Sequence, residues 1–199
     1  MQGLDRWLFA AGRRWVCRQA RGDVLEVAAG SGRNLPHYDQ DVRLALQDLS
    51  PGMLALARAR ATALGRHVTL HVSDAQALAC PNDRFDTVVC TLGLCTIPDE
   101  RRALEEIWRV LRPGGCLFLC EHVRSPHRAI RLVQYVLDPI AYLLASDHWL
   151  RDPLPLVQQI GFEIERVERH AFGVLEYLAA RKPSRVEAVG TYEVANDWP

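Results

Sequence analysis

The sequence predicts an α/β protein: a seven-stranded, mostly parallel sheet closed by a C-terminal antiparallel hairpin, with helices on both faces. Three observations carry that expectation. Five apolar, strand-like runs (Asp23 to Val27, Arg43 to Gln47, His67 to Val72, Phe85 to Cys90 and Cys116 to His122) alternate with stretches of helical periodicity, the signature of parallel strands joined by helical crossovers. The first run opens into a glycine turn, Ala28-Ala29-Gly30-Ser31-Gly32, and the second ends on an acid, Asp48. The last two runs, Phe162 to Arg169 and Val174 to Ala180, meet at a turn around Gly173, too close in sequence for a crossover, so they pair antiparallel.

Taken in order, Leu4 to Ala20 reads as a helix with Trp7, Ala11 and Trp15 on one stripe and Arg6, Arg13, Arg14 and Arg18 elsewhere. Such a stripe serves packing, a lid over a pocket, or a basic amphipathic patch that touches lipid. The strand, glycine turn, strand and acid that follow are the way a nucleotide-like ligand is held at the carboxyl edge of a parallel sheet: glycines let the backbone approach the ligand, and the acid accepts hydrogen bonds from a ribose. A dinucleotide site wants a third glycine, where this chain has Leu35 followed by Pro36, so that reading is the weaker one. Ser50 can cap a helix with Pro51 at its first position and Gly65 past its end. The third strand delivers Ser73-Asp74-Ala75 to the same edge, where Asp74 can cap a short helix.

Phe85 to Cys90, continuing into Thr91-Leu92-Gly93-Leu94-Cys95, has the near-continuous apolar character of a central strand covered on both faces. Asp99 starts a helix with Leu104, Ile107, Trp108 and Leu111 at helical spacing, supported by Glu105 to Arg109. Arg112-Pro113-Gly114-Gly115 has the order of a type II turn. Pro126 to Trp149 reads as a long helix interrupted near Asp138-Pro139, followed by a helix from Pro153 to Ile160. Residues 1–182 form one domain, with 1–21 a helical lid, and 183–199 an irregular tail.

A chain of 199 residues can bury roughly 70% of its unfolded surface in one core. Its 24 basic and 24 acidic side chains cancel, which disfavours a nucleic-acid substrate or an anionic bilayer as a partner of the whole surface. Lys182 is the single lysine, and it leaves no interior amine for Schiff-base chemistry. The six cysteines form no C-x-x-C pair and read as free thiols in a reducing compartment. Cys90, Cys95, Cys116 and Cys120 sit on strands that could be adjacent, yet their spacing matches no zinc pattern, so no metal is expected. No signal peptide or spanning segment is evident, and a cytoplasmic protein is expected, with peripheral lipid contact left open.

The segment from Glu26 to Asp48 resembles motif I and its successor in the class I S-adenosylmethionine-dependent methyltransferases, whose sheet is Rossmann-like with a terminal hairpin. The family reads acid-x-Gly-x-Gly-x-Gly, and Ala28 stands here in place of the first glycine. The resemblance implies S-adenosylmethionine as cofactor. Glu26, Ala28, Gly30, Gly32 and Asn34 would line its methionine and ribose side. Asp48, Leu49 and Met53 would hold ribose and adenine, Asp74 and Ala75 the adenine edge, and Thr91 with Leu92 the methionine amino group. The runs VVCTLGLC (88–95), RVLRPGG (109–115), EHV (121–123) and VLDPIAYLL (136–144) look like the alkyl thiol methyltransferase branch. Members of that branch carry an amino-terminal hydrophobic anchor, and none is expected here. Ubiquinone-pathway C-methyltransferases and bacterial phosphatidylethanolamine N-methyltransferases share motif I and the RPGG turn.

Methyl transfer from a sulfonium asks the protein to align donor and acceptor and to exclude water. An alcohol or phenol acceptor needs a general base, whereas a thiol with a pKa near ~8.5 is already partly ionised at neutral pH. The candidate bases at the strand ends are His122, Asp147 and His148, with Asp138 an outsider. Tyr135, Tyr142, Trp149, Trp7 and Trp15 could wall an apolar pocket. The expected function is methylation of a small, largely apolar acceptor, a thiol first. The alternatives are O- or C-methylation of a quinol or phenol, N-methylation of phosphatidylethanolamine, and cofactor binding without turnover. Oligomeric state is not legible.

Overall fold

A computed structural model describes residues 9–145 and 147–184. Seven strands form one sheet in the order β3-β2-β1-β4-β5-β7-β6: β1 (Asp23–Val27), β2 (Arg43–Asp48), β3 (Val68–Val72), β4 (Phe85–Thr91), β5 (Leu111–His122), β6 (Glu163–His170) and β7 (Leu175–Arg181). The first five are parallel to one another, and β7 runs antiparallel to both β5 and β6. The seven-stranded, mostly parallel, Rossmann-like sheet with its terminal hairpin is therefore present. Chain order reverses between β1 and β4, which opens a crevice at their carboxyl ends, the place where open α/β sheets bind ligands.

Successive side chains of the central strands go to opposite faces and build two cores. Leu25, Val88, Leu117 and Leu119 pack with helices α3 (Glu100–Val110) and α5 (Pro153–Ile160). Val24, Leu46, Val89 and Phe118 pack with α1 (Ala10–Gln19) and α2 (Pro51–Ala63). Each helix starts or stops where its local chemistry dictates. Ser50 Oγ accepts from Met53 N with Pro51 in the first turn, and Asp99 caps α3 by accepting from Arg102 N.

Several sequence expectations are corrected. The core-facing stripe of α1 is Gly12, Val16 and Cys17, while Ala11 is exposed and Trp15 lies against Phe118 and Tyr177. Only glycine fits at position 12 without displacing its neighbours, because a Cβ there would meet Cys120 Sγ at 2.5 Å. Trp7 and the expected helix start at Leu4 lie outside the described residues, as does the tail from 185. The ion pair on α3 joins Arg109 to Glu106 at 2.7 Å rather than to Glu105, which faces Arg101 at 4.0 Å. β5 starts at Leu111, and the Arg112–Gly115 turn, with Gly114 at φ 80°, is a bulge against β4. Asp74 heads a turn that closes as a bridge to Ala77, so no helix forms from Ala75.

The long helix α4 (Arg128–Ala145) runs through Pro139 without a break. Proline there removes the donor to the Tyr135 carbonyl, and Tyr135 is exposed, so water can take that place. No helix among the described residues is long and apolar enough to cross a membrane.

Candidate active site

The carboxyl ends of β1, β2 and β3 meet at one rim because a single buried glutamine ties them. Gln47 is 1% exposed; its carbonyl accepts from Ala29 N at 2.9 Å, its Oε1 accepts from Ala28 N at 3.2 Å, and its Nε2 donates to Ser73 O. Ala28 is thereby held at φ 52°, a left-handed conformation that costs a residue with a Cβ roughly 1 kcal/mol. Gly30, at φ 55°, donates its N–H to Asp48 Oδ2 at 2.8 Å, and Asp48 Oδ1 accepts from Ser50 N at 2.8 Å. A Cβ on Gly30 would meet nothing within 4 Å, so the loop presents bare backbone to open space beside the acid. At Gly32 a Cβ would strike Leu35 Cδ1 at 2.7 Å and Ala57 Cβ at 3.1 Å, so this glycine sets the approach of the loop to α2 and does not line the opening.

Ala28, Asp48, Leu49, Asp74 and Ala75 share one cleft of about 210 Å³. Gln47, Gln76, Thr96, Ile97 and Pro98 complete its lining and were missed in the sequence. Leu49 is 69% and Met53 46% exposed, large apolar side chains left at the rim beside the acid. Asp74 accepts from Gln76 N and Gln76 Nε2, which draws its carboxyl below the ordinary range. A larger cleft of about 510 Å³ lies at the opposite edge, around the amino ends of the strands. The acid it contains, Asp23, is consumed by Arg43, Arg84 and Arg112, which makes that region a structural staple.

Glu26, Asn34 and Thr91 lie beneath the rim. Asn34 is fully buried, accepting from Arg13 and donating to Thr91 Oγ1 at 3.0 Å. Glu26 is 2% exposed and accepts from the Tyr38 hydroxyl at 2.8 Å. Burial pushes its carboxyl from the ordinary 4.5 up to about 7, against the opposing pull of Tyr38 and Arg13. Below about pH 4.5 both folded and unfolded chains hold this proton. Above it the unfolded chain releases the proton first, so stability falls until about pH 7, by roughly 3 kcal/mol for a shift of this size. Glu26→Gln keeps an acceptor for Tyr38 and is expected to flatten that fall, measured as urea unfolding at pH 5 and pH 8; parallel profiles for the two proteins would contradict the assignment.

Beyond β4, residues 92–98 form a loop between this cleft and a second group of side chains. Glu121, 1% exposed, shapes the loop from below by accepting from Gly93 N at 3.0 Å and Leu94 N at 3.2 Å, and burial raises its pKa. Arg151 clamps it from the side, donating to the carbonyls of Leu94, Ile97 (2.6 Å) and Pro98 (3.3 Å). Arg151→Ala would strand these carbonyls. It is expected to cost about 2 kcal/mol in urea unfolding and to weaken cofactor binding about tenfold; unchanged binding would separate the loop from the site.

On the far side of the loop His122 Nδ1 faces Asp147 Oδ2 at 3.5 Å, and Cys95, 2% exposed, brings its sulfur within 4.8 Å of both. Trp149 Nε1 donates to Asp147 Oδ2 at 2.9 Å. Burial alone would raise the Asp147 pKa, but the facing His122 and Cys95 and the hydrogen bond from Trp149 bring it down to about 2, so it is anionic at neutral pH. Phe9 meets the His122 ring edge-on at 5.1 Å, and Trp149 lies 6.2 Å from it. Of the three expected bases, His122 and Asp147 are brought together. His148 is turned away to stack on Tyr142 at 4.6 Å, and Asp138 is occupied in accepting from Trp149 N at 2.6 Å. The four cysteines considered for a metal do not converge, since Cys116 pairs with Thr87 low on β5 while Cys95 sits at the rim. Phe9 is the aromatic neighbour that sequence reasoning missed.

Residues 24–115 match the family described as "Methyltransferase domain". The thiol S-methyltransferase TMT1B of Homo sapiens is 32% identical over 145 residues, covering 70% of this chain and 59% of that protein. The demethylmenaquinone methyltransferase of Deinococcus radiodurans is 37% identical over 123 residues, 60% of this chain and 51% of that one. Among solved structures, an S-adenosylmethionine-dependent methyltransferase from Mesorhizobium loti superposes with a TM-score of 0.68 at 22% identity, covering 90% of this chain and all of that one. The fold, the rim and these relatives define the chain as a class I S-adenosylmethionine-dependent methyltransferase. Its sequence is similar to those of the TMT1B proteins, and it spans little more than half the length of these curated relatives.

Proposed function

We propose that the protein transfers a methyl group from S-adenosylmethionine to a small, largely apolar acceptor, with a thiol as the favoured class. The observation that carries this reading is the placement of the Asp48 cleft and the His122–Asp147 pair on the two sides of one loop, 92–98. The residues present suit the cofactor. Asp48 would accept from the ribose hydroxyls, Leu49 and Met53 would cover the adenine, and Asp74 would take its amino edge. The bare Gly30 backbone would let the methionine arm pass, with the carbonyls near Thr91 and Leu92 receiving its amino group. The cofactor supplies the activated methyl carbon.

The chain's own task is positioning and proton removal. Anionic Asp147 opposite Nδ1 would fix the His122 tautomer that leaves Nε2 free to accept a proton. Phe9 and Trp149 would exclude water and favour an apolar acceptor. The name of the TMT1B relative, a thiol S-methyltransferase, supports sulfur as the acceptor atom. A quinol is the second reading, favoured by the demethylmenaquinone methyltransferase relative and by the presence of a base. Labelled cofactor offered with a panel of small thiols, quinols and phosphatidylethanolamine tests this. Label entering thiols fastest is the expected result, and no label in any acceptor, with cofactor bound, would contradict it.

A further inference from the structure

Helix α4 leaves an unusual amount of apolar surface uncovered. Leu132, Val136, Ile140 and Leu143 are between 53% and 83% exposed and recur at helical spacing, with Tyr135 and Tyr142 beside them. A single exposed leucine needs no explanation, but a helix-long patch marks an interaction surface. The side of α4 that faces the body is polar and fully engaged: Gln134, 5% exposed, binds Ser125 N, Val123 O and Trp149 O, and Asp138 accepts from Trp149 N. The helix is thus docked through its polar residues and presents its apolar ones outward, the reverse of an ordinary surface helix.

Two further features point to what covers this surface. Arg128 and Arg131 stand in the first turn of α4, where the helix dipole disfavours cations, and neither has an ion-pair partner among the described residues. In addition, the turn between β6 and β7 holds Ala171 at φ 49° and Phe172 at φ 58°, both left-handed, and Phe172 is 76% exposed. Two strained non-glycine residues displaying a bare phenyl ring gain nothing inside the molecule. This tip is tied to the entry of α4, since Ser125 Oγ donates to Phe172 O at 2.8 Å and accepts from His127 N at 3.1 Å.

We propose that α4 and the Phe172 tip form a monotopic docking surface for an anionic lipid bilayer, with the apolar side chains entering the acyl boundary and Arg128 and Arg131 meeting headgroup phosphates or carboxylates. The surface lies at the door of the acceptor side, because Asp138 and Gln134 of α4 hold the segment that carries Asp147 and Trp149. An apolar acceptor dissolved in the bilayer would then reach His122 from the lipid side; this last step rests on the proposed function, whereas the docking itself does not.

The test is flotation of the full chain with vesicles of phosphatidylcholine, with and without phosphatidylserine, with light scattering of the free protein alongside. The chain is expected to float with the anionic vesicles. Arg128→Gln and Arg131→Gln should each reduce the bound fraction about fivefold there, and adding salt should do the same. A Leu132→Ser, Val136→Ser, Leu143→Ser variant should lose flotation by more than about tenfold. Unchanged cofactor binding by that variant shows that it is folded. Wild-type protein that stays with neither vesicle overturns the proposal, as does a salt-insensitive dimer that the triple variant converts to monomer, which would assign the face to a second copy of the chain. Neither outcome depends on methyl transfer.

Discussion

Asp48→Ala is expected to raise the dissociation constant for S-adenosylmethionine about a hundredfold while leaving the cooperative unfolding transition in place. The carboxylate holds the bare Gly30 backbone and the start of α2 through Gly30 N and Ser50 N. It remains partly exposed toward the cleft, with lone pairs left for a ribose. Losing two charge-assisted hydrogen bonds to a ligand, each about 1.5–3 kcal/mol, exceeds what the rest of the rim can replace. Asp48→Asn keeps one acceptor and should fall between. Isothermal titration reads all three proteins, and an Asp48→Ala protein that binds like the wild type would remove the acid from the site.

His122→Gln should lower kcat/KM for a thiol acceptor about a hundredfold at neutral pH, and the deficit should shrink to a few-fold as the pH passes about 9. The reason is the acceptor's own chemistry: a thiol ionises near ~8.5 and then needs no base, whereas a phenolic hydroxyl near ~10 still does. Asp147, its pKa brought down to about 2, is charged across this whole range, so the change does not come from Asp147. A deficit that is the same at both pH values would show that His122 serves the thiol reaction by some route other than taking the thiol proton. No deficit at either pH removes His122 from proton transfer.

Much of the sheet was legible because its signals are local. Val88 and Val89 announce a two-sided strand, Ser50-Pro51 announces a helix start, and the short span around Gly173 admits only a hairpin. The rim was legible for a similar reason, since a glycine turn and an acid ending the next strand meet whenever the two strands are adjacent, and Gly30 N and Asp48 Oδ2 do meet at 2.8 Å. What the sequence did not disclose depends on contacts between distant segments. Gln47 looks like one more strand residue until its amide is seen joining three strand ends. Arg151 is one arginine among many until the 94–98 carbonyls close on it. Glu26 and Asn34 match the motif, yet burial places them under the rim, where they hold its shape. His148 was indistinguishable from His122 in sequence, and only the ring of Tyr142 separates their roles.

The central claim is that the backbone at Gly30 and the carboxylate of Asp48 form one grip for an adenosyl sulfonium. Equilibrium titration of the folded wild-type chain with S-adenosylmethionine tests it most directly. Saturable one-to-one binding with a dissociation constant of about 1–100 μM (about −8 to −5.5 kcal/mol) is the predicted result. A chain that unfolds cooperatively yet shows no binding at hundreds of micromolar cofactor would contradict it.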